Sequence, residues 1–397
     1  MSDGCTDPGR ADITATGTSM TESNEIQIVR HGDATRIPVS LLSQSLAIAE
    51  GCRSHLSMTL PWVLIAAKSA GHFAHLRISE LAGSRQRSIG YVAYLESNTP
   101  MLGLSLRVRE TPGNRLAAYY NSMLAPLPFV PALLTELASQ DHGRCDVLQF
   151  PALEIGSATD RAICAAAEAH DWRLVRYPSF RSPYMDIRGT WQQFLDSKSQ
   201  NFRYNLKRKR KNLEKAGRLE ERWYRAESDV PELIAAMHAI EEGSWKIGAG
   251  MSITGSQREL AYHDLLLPWL ASNDALEANV LRLDDQPIAY SLCIRWLGKF
   301  GQLKTSFSER LSNLSPGLVV TASSVENAFA RGASEYDFLG DVMPHKMHWA
   351  DKIRAHNNVF AFLPTLRGSL VGRAKQMIHL MRTPGELNTV GRAGWKQ

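Results

Sequence analysis

At 397 residues the chain is too long for one small domain, and at roughly 150 residues per domain it predicts two compact units plus appended segments. Hydrophobic residues make up 44% and charged residues 21%, an ordinary globular mix that excludes a largely disordered, collagen-like or disulfide-scaffold chain. The net charge of +5 is uneven, with +7 in Lys198–Arg222, +5 in Arg367–Gln397 and −7 elsewhere, so it points to local anion binding rather than to a nucleic-acid-coating face.

Residues 1–24 are rich in Ser, Thr, Gly and Asp and nearly devoid of large apolar residues, which predicts a disordered arm in which Met20 is a second candidate start. No basic-then-apolar leader follows, and the longest early apolar run, Leu60–Ala67, is far short of a membrane span. The five cysteines, at 5, 52, 145, 164 and 293, are odd in number and never in a Cys-x-x-Cys pair. Buried thiols in a reducing compartment fit that usage, so the expected location is the cytoplasm.

Residues 25–197 read as an N-terminal α/β unit. Arg87–Glu96, Leu104–Arg109 and Leu116–Asn121 have strand patterns. The helices Pro131–Gln140 and Ala158–His170 are each followed by a short strand, Asp146–Phe150 and Arg173–Tyr177. Residues 198–217 form a basic linking helix, Ser199–Gly217, in which Phe202, Leu206, Lys209, Leu213 and Ala216 share one stripe. Lys209 is its only polar member, and Gly217 is read as its C-terminal cap.

Residues 218–365 read as a second α/β unit. The strand Leu219–Ala226 leads to a helix capped by Asp229 with Pro231 in its first turn, and a second helix runs over Gly255–Ser272. The strands Leu276–Leu283 and Pro287–Trp296 flank a turn at Asp284-Asp285-Gln286, and Lys299–Ser306 is a third strand. The helix Leu318–Arg331, the strand Tyr336–Leu339 and further strand near Asn358–Leu363 complete it, and residues 366–397 are a basic C-terminal tail.

The order strand, helix, helix, three strands, helix, strand, with Ser315-Pro316-Gly317 opening the late helix and Asp337-Phe338-Leu339-Gly340-Asp341 ending the next strand, resembles the GNAT acyltransferases. Ser182-Pro183-Tyr184, Trp191–Leu195, Arg203, Ser244-Trp245-Lys246 and His345-Lys346-Met347-His348-Trp349 sharpen the resemblance to their cellulose-biosynthesis-associated, FemAB-like branch, from about Gly90 to Pro364. What the resemblance implies is mixed α/β (α+β) sheets in two tandem GNAT-like halves with a cleft between them, and an N-acyltransferase that moves an acyl group from acyl-CoA to an amine. Members of that branch act in polysaccharide, lipid or envelope pathways. The loop Arg310–Gly317 has fewer glycines than the usual GNAT pyrophosphate loop. The chain also lacks the long antiparallel helical arm that tRNA-dependent members often carry, which points away from an aminoacyl-tRNA donor.

Acyl transfer needs a donor held by its phosphates, a polarised thioester carbonyl and a neutral amine. Arg310, Ser315, Gly317 and Leu318 are the expected donor-binding residues, because a helix N-terminus presents unpaired N–H groups and Gly317 admits a close backbone approach. The bland alternative is a Ser-Pro helix start. Glu241, at a helix break, is a candidate general base, and Asp341 with Lys346 is the expected catalytic pair past the strand end. The plain readings are a surface acid and a loop ion pair. Tyr184, Arg203, Lys209, Trp245, Lys246 and Asp337 are expected to bind substrate, and a backbone N–H near Thr305–Phe307 to stabilise the oxyanion. His345, His348 and His356 complete no recognised metal site, and no tightly bound cofactor is expected. Two other readings are an aminoacyl-tRNA-dependent transferase whose basic helix contacts RNA, and a catalytically silent GNAT-like protein that binds an anion. The basic tail is a candidate for peripheral membrane contact.

Overall fold

The computed structural model describes residues 26–32, 37–83, 87–112, 123–141, 144–244, 246 and 252–382. The expected disordered arm, the strand over 116–121 and Trp245 lie outside the described residues.

The first half comprises β1 (Gln27–His31), α1 (Val39–Gly51), α2 (Leu60–Ser69), β2 (Leu76–Ala82), β3 (Ser88–Met101), β4 (Leu104–Glu110), the two-residue β5 (Met123–Leu124), α3 (Val130–Ala138), β6 (Val147–Glu154), α4 (Ala158–Ala169) and β7 (Arg173–Asp186). Helices α5 (Trp191–Ser197) and α6 (Gln200–Ala216) lead into the second half. That half comprises β8 (Leu219–Tyr224), α7 (Val230–Glu242), α8 (Gln257–Ser272), β9 (Leu276–Leu283), β10 (Gln286–Trp296), β11 (Lys299–Phe307), α9 (Pro316–Ala330), β12 (Glu335–Asp337), α10 (Pro344–Met347) and β13 (Lys352–Phe362). Helix α11 (Leu366–Arg382) follows, so the basic tail begins as a helix.

Apart from β5 the two halves repeat one order, β-α-α-β-β-β-α-β-α-β, and they exchange their last strands. The sheet runs β1-β2-β3-β4-β6-β13-β7-β12-β11-β10-β9-β8, with β5 on β3, so β13 of the second half lies against β6 and β7 of the first lies against β12. At the centre β7 and β13 pair antiparallel from Arg173 with Phe362 to Tyr184 with Lys352. The two expected halves therefore share one continuous mixed sheet. Between them a cleft is lined by Ser54 and His55 of the first half and Trp296, Lys299 and Glu335 of the second. Trp62 of α2 and Trp269 of α8 meet edge to face across the halves, with ring centroids 5.9 Å apart, and both join one apolar core with Tyr262 and Leu266.

Local chemistry explains where the elements depart from the expected boundaries. In the β9–β10 hairpin only Asp284 and Asp285 take positive φ, 49° and 68°, the two-residue turn whose twist matches the flanking strands, and Gln286 already pairs with Leu283. Asp229 does not cap α7 with its side chain; its Oδ2 accepts from the backbone N–H groups of Arg225 and Ala226 in the preceding turn, 3.0 Å each. Gly217 is extended (φ 166°) rather than left-handed, and its lack of a side chain matters for space: a Cβ there would lie 2.3 Å from the Asp284 carboxylate. The long β7 was legible only as Arg173–Tyr177, because its later residues, Pro178 to Tyr184, mix Pro, Ser and Arg and break the apolar alternation.

Candidate active site

The strand β11 pairs with β10 along its whole length, but β12 pairs with it only at Lys299–Gly301. β12 stops at Asp337, shorter than expected, because Leu339 and Gly340 turn the chain at φ 37° and 71° while Asp337 Oδ1 accepts from Leu339 N–H at 2.8 Å. From Gln302 to Phe307 that side of β11 consequently has no strand partner among the described residues, which leaves an opening in the sheet. The first half has no counterpart among the described residues. There β4 stays paired with β6 at Val108–Glu110, and Thr111 N–H continues the ladder to the Gln149 carbonyl.

The Thr305 carbonyl accepts a hydrogen bond from Lys246 Nζ. In a strand the N–H and C=O of one residue point to the same side, so the Thr305 N–H also faces the opening. Lys246 is largely buried, and its Nζ lies 3.9 Å from Glu241 Oε1. Burial, opposed by Glu241 and reinforced by Lys304 and Lys346, pulls its ammonium down to about 8. Glu241 is fully buried; Oε1 accepts from Tyr290 OH at 2.6 Å and Oε2 from Ile253 N–H at 3.2 Å. Burial alone would raise its carboxyl, but Lys246, the Tyr290 hydroxyl and Lys304 together hold it below the usual range. That direction is opposite to what the expected general base needs, since a carboxylate so stabilised gives little driving force for taking a proton. Glu241 serves instead as the counter-ion of Lys246.

Lys304 Nζ lies 3.7 Å from Glu259 Oε2, and His263 Nδ1 lies 2.7 Å from the Glu259 carbonyl. Lys346 Nζ donates to the Leu339 carbonyl at 2.5 Å, and burial pulls it to about 8 against the pull of Asp337 and Asp341. Burial, Lys346, His348 and Lys246 lower His345. Three lysines thus crowd the mouth of the opening.

The remaining expected residues spread out from there. Asp341 makes no ion pair with Lys346; its Oδ1 accepts from the N–H groups of Arg181 (3.3 Å) and Val342 (2.9 Å), and it acts on Lys346 only through space. Asp337 is buried and saturated by Ser182 Oγ (2.5 Å), Leu339 N–H and Arg354, so its carboxylate shapes the loop rather than offering a free contact. Tyr184 stacks under Arg354, 4.2 Å from the guanidinium carbon to the ring centroid. Arg203 pairs with Asp196 at 3.2 Å on the surface. Lys209 donates to the Asn313 carbonyl at 2.9 Å, tying α6 to the turn Glu309–Leu314 that carries the exposed Arg310. Ser315 is left-handed (φ 57°, ψ 51°), and its side chain does not cap α9, so the first-turn N–H groups of that helix lack a side-chain cap. Leu318 packs against the apolar core around Phe338 and Trp349. His356 stacks on Phe180, 4.2 Å between centroids, apart from His345 and His348, and no group of His, Cys, Asp or Glu suited to a metal ion occurs among the described residues.

Gly317 has a second reason to be glycine. A Cβ there would lie 2.8 Å from the Phe307 ring, so Gly317→Val disturbs packing as well as any phosphate contact. It is expected to cost about 1–3 kcal/mol of stability through overpacking. Urea unfolding without ligand measures this, and the cost should shrink in a Phe307→Ala background; an unchanged cost there would place the strain elsewhere.

Sequence reading missed Lys304, Glu259, Tyr290 and His263. One signal was available, a lysine in the middle of the otherwise uncharged run Phe300–Phe307, where a paired central strand would hold an apolar residue.

Residues 200–347 match the family model of the acetyltransferase (GNAT) domain. No curated protein matches the chain in sequence. Among solved structures the chain is similar to FemX, at 12% identity and TM-score 0.55, over 88% of this chain and all of that one. It is also similar to a conserved protein of unknown function from Bacteroides thetaiotaomicron, at 8% identity and TM-score 0.52, over 81% of this chain and 97% of that one. At these identities the likenesses concern the fold, which is GNAT-like and FemAB-like in both halves. The match over 200–347 and the open edge of β11 together assign a GNAT-type acyltransferase domain to the second half of the chain.

Proposed function

We propose that the chain transfers an acyl group from acyl-CoA, acetyl or longer, to an amine whose own molecule carries an anionic group. The observation that carries this reading is the three-residue pairing of β12 with β11, which leaves the Thr305 N–H facing an opening beside the uncapped start of α9. The donor pyrophosphate meets the Gly317 N–H and the positive end of the helix, since Pro316 has no N–H and those of Ser315 and Leu318 already donate to the Ser312 and Ser315 carbonyls. The thioester carbonyl takes the Thr305 N–H in place of water. Lys246, with its ammonium near 8, is the group matched to accept the proton of the incoming ammonium. The free amine then attacks the thioester carbon, the C–S bond breaks, and CoA leaves as thiolate and takes up the proton. The crowded lysines suit an acceptor bearing a phosphate or carboxylate. A setting in polysaccharide, lipid or envelope metabolism, including cellulose biosynthesis, rests on the sequence resemblance alone.

Thiol release from acyl-CoA against anionic and neutral amines tests this reading; release with no anionic amine, or a thermal shift absent with CoA and acyl-CoA, overturns it. Lys346→Met is expected to lower kcat/KM by at least about tenfold with the fold intact. Parental kinetics would mean that Lys346 only braces the Leu339 loop.

One observation favours a second reading, an aminoacyl-tRNA donor. Tyr204 on α6 is 62% exposed beside the Arg208 guanidinium, with Lys207 and Lys211 exposed nearby. Binding of tRNA that weakens steeply with salt and again when Lys207, Arg208 and Lys211 become Gln, together with aminoacyl transfer, would favour it over acyl-CoA.

A further inference from the structure

We propose that the outer face of α11 docks on an anionic lipid bilayer. The helix is apolar on two opposite sides. Its inner side is fixed by close approach: a Cβ at Gly368 would lie 2.5 Å from the Leu363 carbonyl oxygen and one at Gly372 2.8 Å from Phe362 Cβ, while Val371 is buried against Val175 and Phe362. Glycine at these two positions lets the helix sit almost on the sheet, and the inner seam needs no further apolar residues to hold it.

On the other side Leu366, Leu370, Met377 and Met381 are 85%, 60%, 60% and 68% exposed. At 100° per residue they fall within a stripe about 60° wide, so they form one seam rather than scattered surface residues. A solvent-facing helix side ordinarily carries polar residues. Here the seam is bordered by two exposed arginines, Arg367 on one side and Arg373 on the other, and no acidic residue occurs in 366–382.

That charge pattern selects the occupant. A two-fold contact with a second copy would set this cationic face against itself. An anionic bilayer satisfies both features at once, taking the Leu and Met side chains at the boundary between headgroups and acyl chains and the arginines at the phosphates.

The full-length chain should co-sediment with vesicles of phosphatidylcholine mixed with phosphatidylglycerol, weakly or not at all with phosphatidylcholine alone, and less as salt rises. The triple variant Leu370→Gln, Met377→Gln, Met381→Gln should lower partitioning at least about tenfold with an unchanged melting temperature. Arg367→Gln with Arg373→Gln should abolish the preference for phosphatidylglycerol. Val39→Gln with Leu102→Gln, also exposed apolar positions but off this helix, should change nothing. The proposal is overturned if the parent binds neither vesicle or both equally, if the α11 variants bind like the parent, if the control pair loses binding as much as they do, or if the parent is a dimer that the triple variant converts to monomer.

Discussion

Lys246→Met is expected to lower kcat by about a hundredfold or more while making the folded protein no less stable at pH 7. The two halves of that expectation have one cause. The ammonium sits at the open edge of β11 against the Thr305 carbonyl, largely buried, with Lys304 and Lys346 near it and a single close carboxylate, Glu241, at 3.9 Å. Its lowering from 10.5 to about 8 means that the folded protein disfavours the charged form by roughly 3 kcal/mol. Below pH 8 that cost is present in full. Between about 8 and 10.5 the folded lysine is neutral while the unfolded one still binds its proton, so stability attributable to this group rises with pH across that window. Methionine keeps the length of the side chain and removes the charge, so the variant should unfold at equal or higher urea concentration at pH 7. In the parent, kcat should climb with pH and level off near 8, because the neutral amine is the form that takes the acceptor's proton. Lys246→Arg, which stays charged at every accessible pH, should be as inactive as the methionine variant. A parent rate that falls with pH through 8, or an active arginine variant, would reassign Lys246 from proton acceptor to fixed cation.

The site was legible in the sequence where chemistry and punctuation coincide. Ser315-Pro316-Gly317 marked the start of α9, Asp284-Asp285 marked a hairpin, and the charged residues after Tyr336 marked a strand end. Lys246 and Lys346 were picked out as well, and the structure brings both to the mouth of the opening. What the sequence could not carry were relations between distant segments. Glu241 looks like an exposed acid at a helix end until Tyr290, 49 residues away, donates to it inside the core. Asp337 looks like a free carboxylate until Arg354 arrives from an exchanged strand. The exchange itself leaves no local trace, because β7 and β13 read as ordinary strands until each is seen completing the other half's sheet. Early elements β1, α1, α2 and β2 were passed over because no motif sits on them, and they became visible only as the counterparts of β8, α7, α8 and β9.

Arg354→Met is expected to destabilise the chain by about 3–5 kcal/mol at pH 7, the largest effect of any single substitution discussed, and to take activity with it. Arg354, on exchanged strand β13, is only 10% exposed, and its guanidinium reaches Glu154 of β6 at 3.2 Å, Glu335 of β12 at 3.1 Å and Asp337 of β12, over the Tyr184 ring of β7. One cation thus pairs with three carboxylates from both halves at the seam where they interlock, and Lys299 adds a second cation only at Glu335. Burial already raises the Glu154 and Asp337 carboxyls, with Arg354 the main opposing influence on each. Removing it drives both higher still and leaves buried charge uncompensated at neutral pH. A carboxyl raised in the folded state penalises folding above its folded-state value and not below its unfolded value near 4, so the deficit should narrow as the pH falls from 7 towards 4. Urea unfolding of parent and variant at pH 7 and 5 measures this. A deficit equal at both values would point to lost packing of the arginine stem rather than to charge. The loss of activity follows by a separate route: Asp337 Oδ1 holds the Leu339 N–H, and the Leu339 carbonyl holds Lys346, so a carboxyl released or protonated at the seam loosens the loop that keeps β12 away from Thr305. Catalysis in the parent should therefore weaken in acid before the fold does, because the loop depends on one carboxylate of the seam and the fold on all three.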